Sequence, residues 1–280
     1  MSTHKYVHWL IAGVLAVSIS ACNLGNPAPA SGNDVTTNPT ATTVQEANLT
    51  SAATEETATE APTANSPTSA GGCDNPYLPV VQGAVWNYKL TGPVSDTYTH
   101  TIISVESDSF TEQDEFATGV TRQGKWQCED GNLIALNPAT GDSANVSSKG
   151  VSVDFETKDL SGVTLPAAIK AGDTWSQSLT LEGAETINGT AYTASNELTI
   201  NCTAIGIESV TVGAGTFDTM RVECQTDMHI TVALDPNNPI STPLSLKGIN
   251  WYAENVGLVK SYTSSPGLES TTELVSYNIP

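Results

Sequence analysis

Bases are scarce in this chain. Ten Lys and Arg stand against 30 Asp and Glu, a formal charge of −20 over 280 residues. Nucleic acids and anionic lipid surfaces are held by clustered Lys and Arg, so binding to nucleic acid is excluded as an expectation. Histidine is sparse too: beyond residue 21 only His100 and His229 remain. The recurrent motifs of hydrolytic and nucleotide chemistry are missing, with no Gly-x-Ser-x-Gly elbow, no His-Glu-x-x-His and no phosphate-cradling glycine loop. There is no Cys-x-x-Cys, which weakens a zinc reading. Helical periodicity is also lacking, the best candidate being the short stretch Ala167–Ala171.

What is present begins with a leader. Lys5 supplies a small positive start, Val7 to Ile19 is mostly apolar, and Ala21 is a small residue at a cleavage position. A transmembrane helix is the rival reading, but it needs about 20 apolar residues, and this run is shorter and interrupted by His8. Ile19-Ser20-Ala21-Cys22 resembles the lipobox of bacterial lipoproteins. The resemblance implies that residues 1–21 are removed and that the Cys22 thiol carries a diacylglyceryl group. It places the protein on the extracytoplasmic side of a bacterial cell membrane. Two acyl chains make a durable anchor where one holds only marginally. The alternative is an ordinary signal peptide that leaves Cys22 as a free thiol.

Residues 23–72 hold no Lys, no Arg and no aromatic residue, and are mostly Thr, Ala, Ser, Pro and Asn with five acids. Such a composition cannot bury enough apolar surface to offset its ordering entropy, so 22–72 reads as a disordered linker. A flexible chain of that length spans roughly 40 Å between its ends. Composition changes at Gly71-Gly72-Cys73, and residues 73–280 are long enough for one large β-rich domain with a real core. That part holds 25 acids and nine bases, a soluble acidic surface.

Nearly every segment of 73–280 alternates. Val85, Asn87 and Lys89 oppose Trp86, Tyr88 and Leu90, and Val151, Val153 and Phe155 oppose Ser152, Asp154 and Glu156. The fold class is therefore all-β and mainly antiparallel. Alternation from Phe217 to Val232 runs far beyond the usual five or six residues. A strand that long must bend, which suggests a large curved sheet or half-barrel; a two-sheet sandwich with a break near Thr226 is the alternative.

Beyond Cys22, the four cysteines Cys73, Cys128, Cys202 and Cys224 suggest two disulfides in an exported chain. Leu198, Ile200, Cys202 and Ala204 share one face, as do Met220, Val222, Cys224 and Met228, with a Gly-Ala-Gly turn signal between the runs. Folding the chain about residue 213 sets Cys202 opposite Cys224, at a separation a disulfide can bridge. Cys73 and Cys128 then pair by elimination.

Short phrases recur. Leu78-Pro79 precedes Gly83-Ala-Val-Trp86, and Leu165-Pro166 precedes Gly172-Asp-Thr-Trp175. Trp126-Gln-Cys-Glu-Asp-Gly-Asn-Leu133 loosely echoes Trp251-Tyr-Ala-Glu-Asn-Val-Gly-Leu258. Two related halves, about 73–150 and 160–280, would account for this, and so would good strand-starting sequences used twice. Gly172-Asp-Thr-Trp175, Val210-Thr-Val-Gly-Ala-Gly-Thr-Phe217 and Trp251-Tyr-Ala-Glu-Asn-Val-Gly-Leu-Val-Lys260 resemble motifs of TapB-like exported bacterial domains over about 165–277. Gly213 departs from that pattern, where Pro is expected, and the cysteines are additional. The resemblance implies a β-rich exported fold and no particular activity.

Chemistry is thinly signalled. His229 falls on a polar face with Arg221, Glu223 and Asp227, as a solvated histidine; His100 shares a face with Tyr98 and Ile102, as a packed or edge histidine. Glu106, Asp108, Glu112, Asp114, Glu115, Glu129 and Asp130 offer oxygens that calcium accepts, but they lack a calcium-loop register and read more simply as charged strand ends and turns. No catalytic residue, metal site or cofactor is assigned. The reading is a non-enzymatic binding or interaction module, presented on a lipidated stalk, that carries a hydrophobic ligand or docks an envelope protein. The alternative is a cell-envelope hydrolase with a dispersed catalytic site.

Overall fold

A computed structural model describes residues 71–137 and 145–280. The leader, Cys22 and nearly all of the 22–72 linker lie outside the described residues. Within them the chain is almost entirely strand: β1 (Val85–Thr91), β2 (Asp96–Val105), β3 (Ser109–Phe116), β4 (Thr121–Glu129), β5 (Asn132–Asn137), β6 (Asn145–Ser148), β7 (Val151–Gly162), β8 (Thr174–Ile187), β9 (Thr190–Val212), β10 (Gly215–Val232), β11 (Ile240–Ala253), β12 (Gly257–Ser265) and β13 (Leu268–Asn278). One turn of 3-10 helix, Gly71–Cys73, is the one helical element among the described residues. Ala167–Ala171, the helix candidate, is an irregular loop. Five residues cannot nucleate a helix alone, and here Asn132 Oδ1 takes the Ala167 N–H at 3.0 Å.

All pairings are antiparallel, in the order β3-β2-β1-β13-β12-β11-β10-β9-β8-β7-β6-β4-β5, with a further pairing of β3 to β4. That last pairing joins the ends. Twelve strands therefore close into a barrel, and β5 is an extra strand on β4. β4 takes β3 along one edge, and on the other takes β6 at Thr121–Gln123 and β5 at Lys125–Glu129. The expected half-barrel and its sandwich alternative are both corrected by this closure. Alternation reveals where strands lie and which face is inward, but not that one strand will serve two neighbours on the same edge. Closure also removes the open edges that an incomplete sheet would expose.

Local chemistry explains the hairpins. Asn188 and Gly189, the two residues between β8 and β9, both have positive φ (49° and 84°). Asn and Gly adopt that conformation most readily, and the resulting turn matches the right-handed twist of the strands. β9 and β10 run for 23 and 18 residues, longer than the 14 each of β8 and β11 beside them. The main core packs Trp86, Tyr88, Ile102, Phe110, Leu133, Val222, Val259 and Leu274. A second apolar cluster, separate from it, lies on β7–β11.

The repeated phrases adopt matching roles. Gly83 and Gly172 both take positive φ just before β1 and β8. Each Trp that follows then donates its indole N–H to a backbone carbonyl, Trp86 to Val256 at 2.6 Å and Trp175 to Thr164 at 3.0 Å.

Candidate functional site

The barrel interior holds a charged row. β1–β4 pair so that Trp86, His100, Asp114 and Arg122 stand opposite one another in turn. His100 Nδ1 lies 2.8 Å from Asp114 Oδ1, and Nε2 lies 3.6 Å from Glu112. Arg122 donates to Asp114 Oδ2 at 3.0 Å, and its guanidinium sits 4.6 Å from the Phe116 ring centre. The Trp86 ring tilts against the imidazole. Glu112 and Asp114 are buried within β3, which corrects their reading as charged strand ends and turns. They occupy the middle of β3 in the inward series Phe110, Glu112, Asp114, Phe116. That period-two pattern, bracketed by aromatics, was the signal that could have found them.

Two carboxylates against one guanidinium leave a deficit of positive charge that His100 can fill. Burial alone would lower the imidazole pKa, but the Asp114 hydrogen bond and the charges of Asp114 and Glu112 raise it despite Arg122. Nearby phenols are pushed up as well, first by burial and then by these carboxylates; Tyr252 rises to about 12. Both imidazole nitrogens face carboxylates, so the arrangement suits a fixed ion cluster better than a base poised over a nucleophile.

The second apolar cluster is built by rows across β7–β11. Leu160, Leu179, Leu198, Met228 and Leu244 form one inward row. Leu181, Asn196 and Ile230 form the next, followed by Phe155, Gly183, Ala194 and Val232. Leu179, Leu181, Leu198 and Met228 are buried, while Leu160, Ile230, Val232, Leu244 and Leu246 are half-buried against them. Two polar side chains interrupt this face. Asn196 is fully buried with neither amide atom partnered, and buried Glu185 leaves Oε1 without a partner. Burial raises the Glu185 pKa. None of these residues was singled out from sequence, because an Asn or Glu in a strand reads as a solvent-facing residue.

A groove of about 820 Å³ on these strands is lined by the inward row Leu160, Leu179, Leu198, Met228 and Leu244 together with Ser178, Thr199, Asp227, His229, Ser245 and others. His229 is exposed there, as its polar alternation implied, and Ser245 donates to Asp227. Among the described residues no group of three or more His, Cys, Asp or Glu is placed to hold a metal ion.

Both expected cysteine pairs lie at disulfide distance. The sulfurs of Cys73 and Cys128 are 2.00 Å apart, and those of Cys202 and Cys224 are 2.07 Å apart. The first pair ties the start of the folded part to β4; the second staples β9 to β10 above the second apolar cluster. Cys22 lies outside the described residues.

The chain is similar to three solved structures. A candidate lipoprotein from Parabacteroides distasonis ATCC 8503 superposes with a TM-score of 0.50 at 18% identity, covering 73% of this chain and all of that one. A candidate exported protein with a YmcC-like fold from Bacteroides fragilis gives 0.42 at 16% identity, covering 70% and 96%. The hypothetical lipoprotein YmcC from Escherichia coli gives 0.32 at 8% identity, covering 69% and 84%. No curated protein matches the chain. A family model described as DUF3108-like matches residues 85–274, from the start of β1 into β13. That span takes in the four-strand charged row as well as the second apolar cluster, and begins well before the 165–277 stretch of TapB-like resemblance. The chain belongs to the DUF3108-like family.

Proposed function

We propose that this protein is a lipid-anchored extracytoplasmic binding module whose β7–β11 inner face takes up a hydrophobic ligand. One observation carries the reading: the second apolar cluster stands apart from the main core and ends in a rim of half-buried Leu160, Ile230, Val232, Leu244 and Leu246. Apolar surface left partly open in this way is the usual wall of a small-molecule site. The lipobox-like run at Cys22 supports attachment to the membrane, and the descriptions of the structural relatives as lipoproteins or exported proteins support the same location. The module is non-enzymatic on this reading, and the enclosure of both His100 nitrogens by carboxylates supports that side of it.

Uptake is tested with the fluorescent probe N-phenyl-1-naphthylamine on the full chain carrying Cys22→Ser. Saturable enhancement at about one probe per chain is expected, weakened by Leu244→Glu and Leu246→Glu on the rim. No enhancement, or enhancement indifferent to both substitutions, would remove the hydrophobic-ligand reading.

The polar residues of the groove support a second use. Their hydroxyls and carboxylates offer hydrogen bonds to a polar protein surface, such as that of another envelope protein.

A further inference from the structure

We propose that Asn196 is the polar contact of the ligand site, and that the ligand is an aliphatic chain bearing a neutral group that both donates and accepts a hydrogen bond, as an amide or alcohol does. This rests on the hydrophobic-ligand reading above and names the chemistry of the ligand.

The contrast with the other buried carboxamides carries the assignment. Asn75 donates to the carbonyls of Gly131 and Pro166 and accepts from the Tyr77 N–H. Gln177 donates to Ala135 O at 2.8 Å and accepts from Thr164 at 2.6 Å. Asn137 accepts from the Lys125 N–H. Asn196 alone among them has both Nδ2 and Oδ1 unpartnered while being fully buried. A buried amide left so costs stability that an apolar side chain there would not. Places where a sequence departs from its own packing rules tend to be sites of function.

Its surroundings fix the ligand class. Leu181 and Ile230 flank Asn196 across the strands, and Ala194 and Leu198 precede and follow it on the same face. The adjacent inward row carries only Gly183 and Ala194 on β8 and β9. These neighbours suit an aliphatic chain. A free donor beside a free acceptor on one amide calls for a partner with both capacities. A charged head would be stranded, because these rows hold no ionisable side chain and the next row holds Glu185, whose burial favours its neutral form.

The test uses calorimetric titration of the full chain carrying Cys22→Ser with decanamide, which donates and accepts, and methyl decanoate, which only accepts. Decanamide is expected to bind about tenfold tighter, roughly the worth of one added hydrogen bond in a dry site. Asn196→Leu should keep methyl decanoate binding and abolish the preference, with Asn196→Ala as a second variant. Equal binding of the two probes to the parent, or a preference that survives both substitutions, would overturn the assignment to Asn196 while leaving hydrophobic uptake standing. Binding of neither probe would overturn both.

Discussion

Cys202 faces Cys224 because Ile205 is squeezed out of the ladder between their strands. The β9–β10 hairpin turns at Gly213-Ala214, pairing Val212 with Gly215, and that register would put Thr203 opposite Cys224. Instead Ala204 pairs with Val222 and Gly206 with Arg221, so Ile205 has no partner, and every later pair shifts by one residue. The two Cα atoms come to 4.1 Å. A one-residue slip would have turned one cysteine outward.

The bridge closes a sequence separation of 22 residues. Loop-closure entropy assigns it about 3 kcal/mol, and about 4 kcal/mol to Cys73–Cys128, which closes 55. Replacing Cys202 and Cys224 together by Ala should lower the guanidinium unfolding free energy by that order. A reductant should bring the parent down to the double variant or below. Equal midpoints for parent and variant without reductant would mean that the pair is not oxidised in the exported protein.

How legible this hairpin was in the sequence follows from the same residues. The alternation of 198–204 and 220–232 identified both inward faces, and the Gly-Ala-Gly signal located the turn. Folding about residue 213 opposed the right cysteines although the real turn is centred half a residue later; the bulge makes up the difference. Bulges have no reliable residue signature, so the agreement depended on a feature that composition does not display. Closure of the barrel was hidden for a related reason, since it depends on β4 pairing with three strands. Glu112, Asp114 and Asn196 were missed because a charged or amide side chain inside a barrel contradicts the usual polar-outward alternation.

The charged row makes stability depend on pH. His100 has a folded pKa above its ordinary 6.5. Its contribution is therefore fully present below about pH 6.5 and is lost as pH rises through the folded value. His100→Gln removes the imidazolium that lies 2.8 Å from Asp114, and breaking a buried ion pair costs about 3–5 kcal/mol. Thermal melts from pH 5.5 to 9 should show the largest gap between parent and variant at the acid end, narrowing upward. A gap that widens with pH would contradict the imidazolium assignment.

Glu185 gives the opposite lesson. Its carboxyl has a raised pKa from burial, so ionisation at neutral pH opposes folding, and that penalty disappears as pH falls to its unfolded value of about 4.5. Glu185→Gln should be more stable than the parent at pH 7, and the two should converge toward pH 4.5. A variant less stable than the parent at pH 7 would mean that the carboxylate is held by a favourable partner.

Gly183 tests the packing of β7 on β8. A Cβ there would overlap the backbone oxygen of Asp154 and lie 3.0 Å from Phe155 Cα. Backbone cannot yield as a side-chain tip can. Gly183→Ala should therefore destabilise by about 1–3 kcal/mol, read by denaturant titration, and should also weaken probe uptake by moving Phe155. An unchanged midpoint would mean that β7 is less tightly apposed than described.

The most direct test of the central claim is native mass spectrometry of the mature protein with Cys22→Ser, recovered from its own host without delipidation. The account predicts an added mass of one amphiphile that is lost on denaturation and is recovered as a neutral, amide- or hydroxyl-bearing aliphatic molecule. A bare mass that stays bare after incubation with decanamide would contradict it.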